Sequence, residues 1–337
     1  MTDALILAGG VAKGAFGGGV LSVLLGSEGK SGANVDVHSI VAASSGALNG
    51  AYAAAVLHAG TEEEEIGRLR TLWADESFGR VFEPSLAGLF ELRGLSGEDK
   101  VLDLLRSNIT PKPKARTIEL RLVVTNIAGA TVQVGGAPAT TFESVLPFAA
   151  DTFQSAERLE TMFRAVTASA AFPGAFVPVT LEIDGRAVSC IDGGAVNNTP
   201  LQYALEHPFE IDRVFVVSPQ PRVAVNNPSD LRGIGLITHL AEMLIEERLF
   251  RDLEGAYATN ETLARLDAVV SDPALRARVL EALGWAGRKQ LAIIELRPPS
   301  DLPGGMFDGF FSRQLREEYV QSGEDVARAW LAGAKGA

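Results

Sequence analysis

His38 to Ala55, HSIVAASSGALNGAYAAA, carries an apolar run through a few small residues straight into a second apolar run of helical character. A strand that becomes a helix within so short a turn leaves almost no room for side-chain atoms at the turn. Ala42, Ser45 and Gly46 supply that smallness around Ser44. The layout predicts a serine at the tip of a tight strand-to-helix turn with its hydroxyl exposed. It also aims the first free amides of the following helix at the space beside Ser44, where negative charge would develop during attack on an ester carbonyl. The same residues would serve as an ordinary helix N-cap, with the hydroxyl of Ser44 or Ser45 satisfying those amides. The A-x-S-x-G pattern alone leaves both readings open.

The amino terminus, DALILAGGVAKGAFGGGVLSVLL, bears on the choice. Asp3 to Ala8 reads as a short buried strand, and GGVAKG, Gly9 to Gly14, as a loop feeding an apolar helix. Gly17, Gly18 and Gly19 inside that helix cost about 1 kcal/mol each relative to alanine, so something must need a close backbone there. A glycine-rich turn after a first strand presents consecutive N–H groups to an anion, either a phosphate or a carbonyl oxygen becoming an oxyanion. The Walker pattern is not met, because Lys13 is followed by Gly14 and Ala15, and the hydroxyl that would hold magnesium is missing. Gly9, Val11 and Gly14 frame a dinucleotide fingerprint whose middle glycine is replaced by valine. With Asp36 at a tolerable distance for a ribose contact, a nucleotide-binding oxidoreductase stays as an alternative.

A third segment, VSCIDGGAVNNTP, lies late in the chain. Ala187 to Ile191 reads as a strand, and Asp192 leaves it into Gly193 and Gly194. Asp192 there is placed either for a site or for an Asx-turn. A serine hydrolase with an imidazole base needs a suitable histidine, and the chain has four. His38 precedes Ser44 on the same strand and points away from the turn tip. His58 lies at the far end of the following helix, His207 stands before Pro208, and His239 sits in an amphipathic stretch. None is placed to take a proton from Ser44, so the best candidate for its base is the Asp192 carboxylate.

Together the segments GGVAKG, AASSG followed by ALNG, and DGG, in that order, resemble the patatin-like phospholipases. The stretch AVTASAAFPGAFVPV, Ala165 to Val179, is also similar to the segment preceding that family's aspartate. The resemblance covers roughly the first two-thirds of the chain. It implies an α/β, patatin-like three-layer fold, with a central, mostly parallel sheet flanked by helices and a helical C-terminal region. It implies Ser44 as nucleophile, Asp192 as base, and an oxyanion hole from the Gly9, Gly10, Val11, Ala12, Lys13 and Gly14 loop, Lys13 standing where the family has arginine or lysine. Ala42, Gly46, Gly193 and Gly194 would support the two turns. Two departures stand out: Val11 replaces a glycine, so a positive φ there would be strained, and Ala42 replaces the first glycine of the elbow. A lipid-binding or regulatory protein with an impaired site is the alternative that Val11 motivates. The implied reaction is acyl-ester hydrolysis through an acyl-enzyme, with no metal or other cofactor. A base with an intrinsic pKa of about 4 must be raised by an apolar site or act by orienting the serine proton.

The remaining chain bounds the setting. Its 337 residues suffice for one α/β domain with a helical appendage; residues 1–226 are expected to form the catalytic core and 227–337 a mainly helical extension, divided near Asn226 to Asp230. One cysteine, Cys190, excludes an internal disulfide, and the first residues lack a signal-peptide pattern, which predicts a cytoplasmic protein, peripheral at membranes at most. The net charge of −12 argues against nucleic acid as a partner and against general attraction to anionic lipid. Membrane contact would then be local and apolar, through Phe82 to Leu95 or Gly304 to Phe311, although both stretches suit core packing as well. Ile118 to Gly136 reads as a strand, a turn at Gly129 and a second strand. Ser155 to Phe172, Ile234 to Leu266, Pro273 to Gln290 and Gln314 to Ala332 read as helices, and Leu291 to Pro298 as a last strand.

Overall fold

The computed structural model describes residues 1–74, 98–173, 175–205, 211–223 and 234–334. Phe82 to Leu95, His207 and the boundary at Asn226 to Asp230 lie outside them. Among the described residues eight strands form one mixed sheet: β1 Asp3–Leu7, β2 Val37–Ala43, β3 Glu119–Val134, β4 Ala137–Phe148, β5 Val179–Ile183, β6 Arg186–Asp192, β7 Arg213–Val217 and β8 Ala292–Leu296. The order is β5-β6-β3-β2-β1-β7-β8, with β4 paired to β3. Strands β1, β2, β3, β7 and β8 run parallel, and β4, β5 and β6 supply the antiparallel pairs.

β1 shows why the sheet is covered on both faces. Successive side chains of a strand point to opposite sides. Leu5 and Leu7 enter the larger core with Phe16, Leu21, Ile40 and Phe215. Ala4 and Ile6 enter a second one with Val214, Val216, Leu249 and Leu253. The apolar run of a parallel strand buried on both sides follows directly. Helices Ala15–Leu24, Ser45–Ala59, Ala156–Ser169 and Arg313–Ala334 belong to the first face, and Leu201–Leu205 with Ile234–Val269 to the second. The architecture is therefore helices, sheet and helices in three layers.

The glycine run in the first helix has its close neighbour. A Cβ on Gly19 would lie 2.0 Å from the Val320 carbonyl oxygen, and one on Gly323 would lie 2.1 Å from that of Phe16. The helix Arg313–Ala334 thus lies backbone to backbone against Ala15–Leu24.

The reading of Ile118 to Gly136 as a hairpin is corrected. β3 runs unbroken to Val134, and its partner is the following segment, β4. Gly129, with φ at 73°, absorbs a register shift between Thr125 and Ala130, whereas Gly135 and Gly136, both at positive φ, make the two-residue turn. A lone glycine in a strand marks a bulge, and two consecutive positive φ values mark a type I′ hairpin.

Pairing along β3 also sets up the site. β4 occupies one side of β3 from Leu120 to Thr125; on the other side β2 pairs Glu119 to Val123 and β6 pairs Val124 to Asn126. β2 and β6 therefore run toward each other in one lane. Their last residues, Ala43 opposite Val123 and Asp192 opposite Val124, meet head to head.

Candidate active site

Ser44 follows Ala43 at that junction with φ 54° and ψ −134°, a conformation that costs an L residue on the order of 1–3 kcal/mol. It occupies the N-cap position of Ser45–Ala59, yet its side chain caps no amide. Instead its hydroxyl donates to Asp192 Oδ2 at 2.7 Å, across 148 residues of sequence. The N-cap reading is thereby corrected for both serines, because Ser45 Oγ accepts the Gly10 amide at 3.0 Å and ties the glycine loop to the elbow. Asp192 makes its Asx-turn and meets Ser44 as well. Its Oδ1 accepts the Gly194 amide at 2.7 Å, closing an Asx-turn, while Oδ2 takes the serine.

Small residues surround the pair where the backbone demands it. Ala42 is fully buried in β2. A Cβ on Gly46 would lie 2.2 Å from the Leu7 carbonyl oxygen, and one on Gly193 would lie 2.1 Å from that of Val123.

Burial governs the electrostatics. Ser44 is 5% and Asp192 3% exposed, so the serine expected at an exposed turn tip is corrected to a buried one. Desolvation pushes the Asp192 carboxyl up to about 7, against the opposing pull of its hydrogen bonds from Ser44 and Gly194. A carboxylate at that value is half-charged near neutrality and can exchange a proton with an alcohol during turnover.

The six loop residues do not stand equivalently. The Gly9 amide donates to Asn198 Oδ1 at 2.8 Å, the Gly10 amide to Ser45, Ala12 to the Met306 carbonyl at 3.4 Å, and Lys13 to the Gly10 carbonyl at 2.9 Å. Gly14 accepts from Asn49 Nδ2 at 2.9 Å through its carbonyl. The Val11 amide takes no partner among the described residues. Val11 adopts φ 52°, the strained conformation that its place in the glycine run implies. Gly9 sits against Ser44, since a Cβ there would lie 2.2 Å from Ser44 Cβ.

Two side chains that sequence reasoning passed over hold this arrangement. Ser169, fully buried, accepts the Ser44 amide at 3.0 Å and donates to the Val123 carbonyl at 2.6 Å. Its hydroxyl is thus spliced between β2 and β3 where Ser44 turns out of the ladder. The Ser169 carbonyl receives the Gly193 amide at 3.1 Å, and the Ala171 carbonyl receives that of Asp192 at 3.0 Å. The end of the helix Ala156–Ser169 therefore grips both sides of the junction, the β2 side through the Ser169 hydroxyl and the β6 side through the Ser169 and Ala171 carbonyls. Asn198 grips Gly9 from both edges, accepting its amide and donating Nδ2 to its carbonyl at 3.3 Å. Both lie in quoted motif stretches, TASAAF and DGGAVNNTP, but a serine at a helix end and an asparagine before a threonine give no local sign of such partners.

In the segment Gly304 to Phe311 the large apolar side chains other than Phe311 are packed in. Met306 and Phe310 are buried, Phe307 stacks edge-on with Phe172 at 5.5 Å, and Phe311 alone of the aromatic residues is well exposed. This puts an apolar wall beside the loop at Ala12. Asp36 precedes β2, at the end of the sheet opposite Gly9, and is engaged by Arg116 and His38. A dinucleotide site needs its acidic residue at the same end as the glycine loop, so that alternative is corrected. His58 is buried at the far end of its helix against Phe153. Among the described residues no three His, Cys, Asp or Glu side chains gather as a metal site, and no helix is long and apolar enough to cross a membrane.

The family model for patatin-like phospholipases matches residues 5–205. No curated protein matches the chain. Among solved structures, VipD from Legionella pneumophila aligns with a TM-score of 0.40 at 14% identity, over 98% of this chain and 66% of that protein.

Proposed function

The chain belongs to the patatin-like phospholipase family, and from that premise we propose that it is a lipid acyl hydrolase in which Ser44 is the nucleophile and Asp192 its base. The observation that carries this reading is the 2.7 Å hydrogen bond from a strained, buried serine to a carboxylate whose pKa burial raises to about 7. Ser44 Oγ attacks the ester carbonyl carbon while its proton passes to Asp192 Oδ2. The carbonyl electron pair moves onto oxygen, where the unpaired Val11 amide is the first donor, and Gly10 becomes a second by exchanging Ser45 for the oxyanion. Collapse expels the alcohol, which takes the proton back from Asp192, and leaves an acyl-serine. Water then attacks the acyl carbon, gives a proton to Asp192, and the second collapse releases the carboxylic acid and restores Ser44. Ser169 and Asn198 act as positioning residues, one for the serine and one for the loop.

The test is hydrolysis of a panel of phospholipids, lysophospholipids, glycerides and soluble p-nitrophenyl esters, with Ser44→Ala as control. Fluorophosphonate labelling that persists in Ser44→Ala would overturn the assignment. Val11 favours one competing reading, a lipid-binding protein with an inert site. Turnover that vanishes in a folded Asp192→Asn protein excludes it.

A further inference from the structure

β3 and β4 continue past the dyad as a two-stranded ribbon. From Leu122 to Phe142 the sequence holds no charged residue, in a chain whose net charge is −12. Thr131 to Pro138 are all exposed, so among the described residues nothing covers either face of the tip. Ile127, Val132, Val134 and Phe142 are 47%, 37%, 62% and 49% exposed. Exposed bulky apolar side chains grouped on one projecting, uncharged element mark a surface that meets something apolar.

Direction tells where that surface lies. β3 passes Val124, opposite Asp192, and runs ten residues further to Val134; β4 covers the same stretch in seven, from Ser144 to Ala137, so the ribbon reaches about 23 Å beyond that point. The ribbon thus projects past the carboxyl ends of β1 and β2, the edge that carries Gly9, Ser44 and Asp192. A second copy pairing edge to edge is disfavoured, because Pro138 and Pro147 both lie in β4 and remove backbone donors from that edge strand. An anionic lipid surface is disfavoured by the charge of the whole chain. What remains is apolar contact with a surface of no net charge.

We propose that the β3–β4 ribbon is a docking arm that seats this protein on a zwitterionic phospholipid surface, with the dyad edge of the sheet turned toward it. Its purpose rests on the lipid-ester reading above; its binding does not. Ile127, Val132, Val134 and Phe142 enter the interface between headgroups and acyl chains, where a lack of charge lowers the cost of entry.

The experiment is cosedimentation of the full chain carrying Ser44→Ala, so that no lipid is consumed, with phosphatidylcholine vesicles. Adding Val134→Asp and Phe142→Asp lowers the partition coefficient by about tenfold or more, and replacing part of the lipid with phosphatidylserine does not strengthen binding. In the otherwise wild-type chain the two ribbon substitutions leave soluble-ester turnover unchanged. Val134→Cys carrying an environment-sensitive fluorophore shifts to the blue on the same vesicles; the native Cys190 is buried, its thiol pKa pushed up to about 11 by burial, and stays unlabelled. Equal binding with and without the aspartates, no binding by the parent, no spectral shift, or a dimer that the ribbon substitutions dissociate would each overturn the arm. Absent soluble-ester turnover with ribbon-dependent binding intact sinks the hydrolase reading and keeps the arm. Intact turnover with ribbon-independent binding does the reverse.

Discussion

The first and second halves of β3 are one strand in two environments. Leu120, Leu122, Val123 and Val124 are fully buried, with β2 or β6 on one side and β4 on the other. From Thr131 onward the same strand has β4 alone and is exposed throughout. Valine and threonine populate both halves, so β propensity does not distinguish them. Neighbours do. Where the lane beside β3 is filled by β2 and β6 meeting head to head, a small error at the junction misaligns Ser44 and Asp192; where the lane is empty, the strand tolerates change.

If that contrast is right, substitutions at the junction act through catalysis and those in the ribbon do not. Ser44→Ala and Asp192→Asn each lower kcat on a soluble ester by about 10³-fold or more. An Asp192→Asn protein within tenfold of wild type would show that the head-to-head junction does not drive the serine. Ser169→Ala lowers kcat by about 10- to 100-fold with KM little changed, since it loosens the serine without touching substrate. It also leaves the Ser44 amide and the Val123 carbonyl short of a partner, costing about 1–3 kcal/mol in denaturant unfolding. A drop in stability with kcat intact would reduce Ser169 to scaffolding.

The pH response reads the same junction. Because Asp192 must be unprotonated to accept the serine proton, kcat/KM rises with pH and inflects near about 7. Stability runs the other way. The folded-state value lies above the ordinary 3.8, so the folded chain holds this proton more tightly than the unfolded one. The contribution is fully present below about pH 4 and is lost as pH rises to about 7. Asp192→Asn, which carries no buried charge, is therefore stabilised relative to wild type at pH 8 by on the order of 2–4 kcal/mol, and not at pH 4. Equal unfolding midpoints at both pH values would contradict the burial of the carboxylate. The smallest effect belongs to the ribbon: Val132→Thr and Val134→Thr shift stability by about 0.5 kcal/mol or less and leave soluble-ester turnover as it is.

Much of the site was legible because its demands are local. A tight turn needs Ala42, Ser45 and Gly46, and a backbone pressed against Ser44 needs Gly9, whatever else the chain does. Gly129 and the Gly135–Gly136 pair look alike as turn signals in the sequence, and only pairing partners decide which one turns. Ser169 and Asn198 went unread for the corresponding reason: their partners, Ser44, Val123 and Gly9, are 46 to 189 residues away.

By itself the sequence determined most of the alternation of strands and helices, the small residues that the turn at Ser44 needs and the order of the motifs, because these follow from backbone sterics and side-chain period over a few residues. Only the tertiary structure decided that β2 and β6 share a lane and end face to face. It also decided that burial at that meeting point raises Asp192, and that β3 runs on past the site into solvent. Those are consequences of distant pairing and of water excluded by the whole fold, which no window of residues contains.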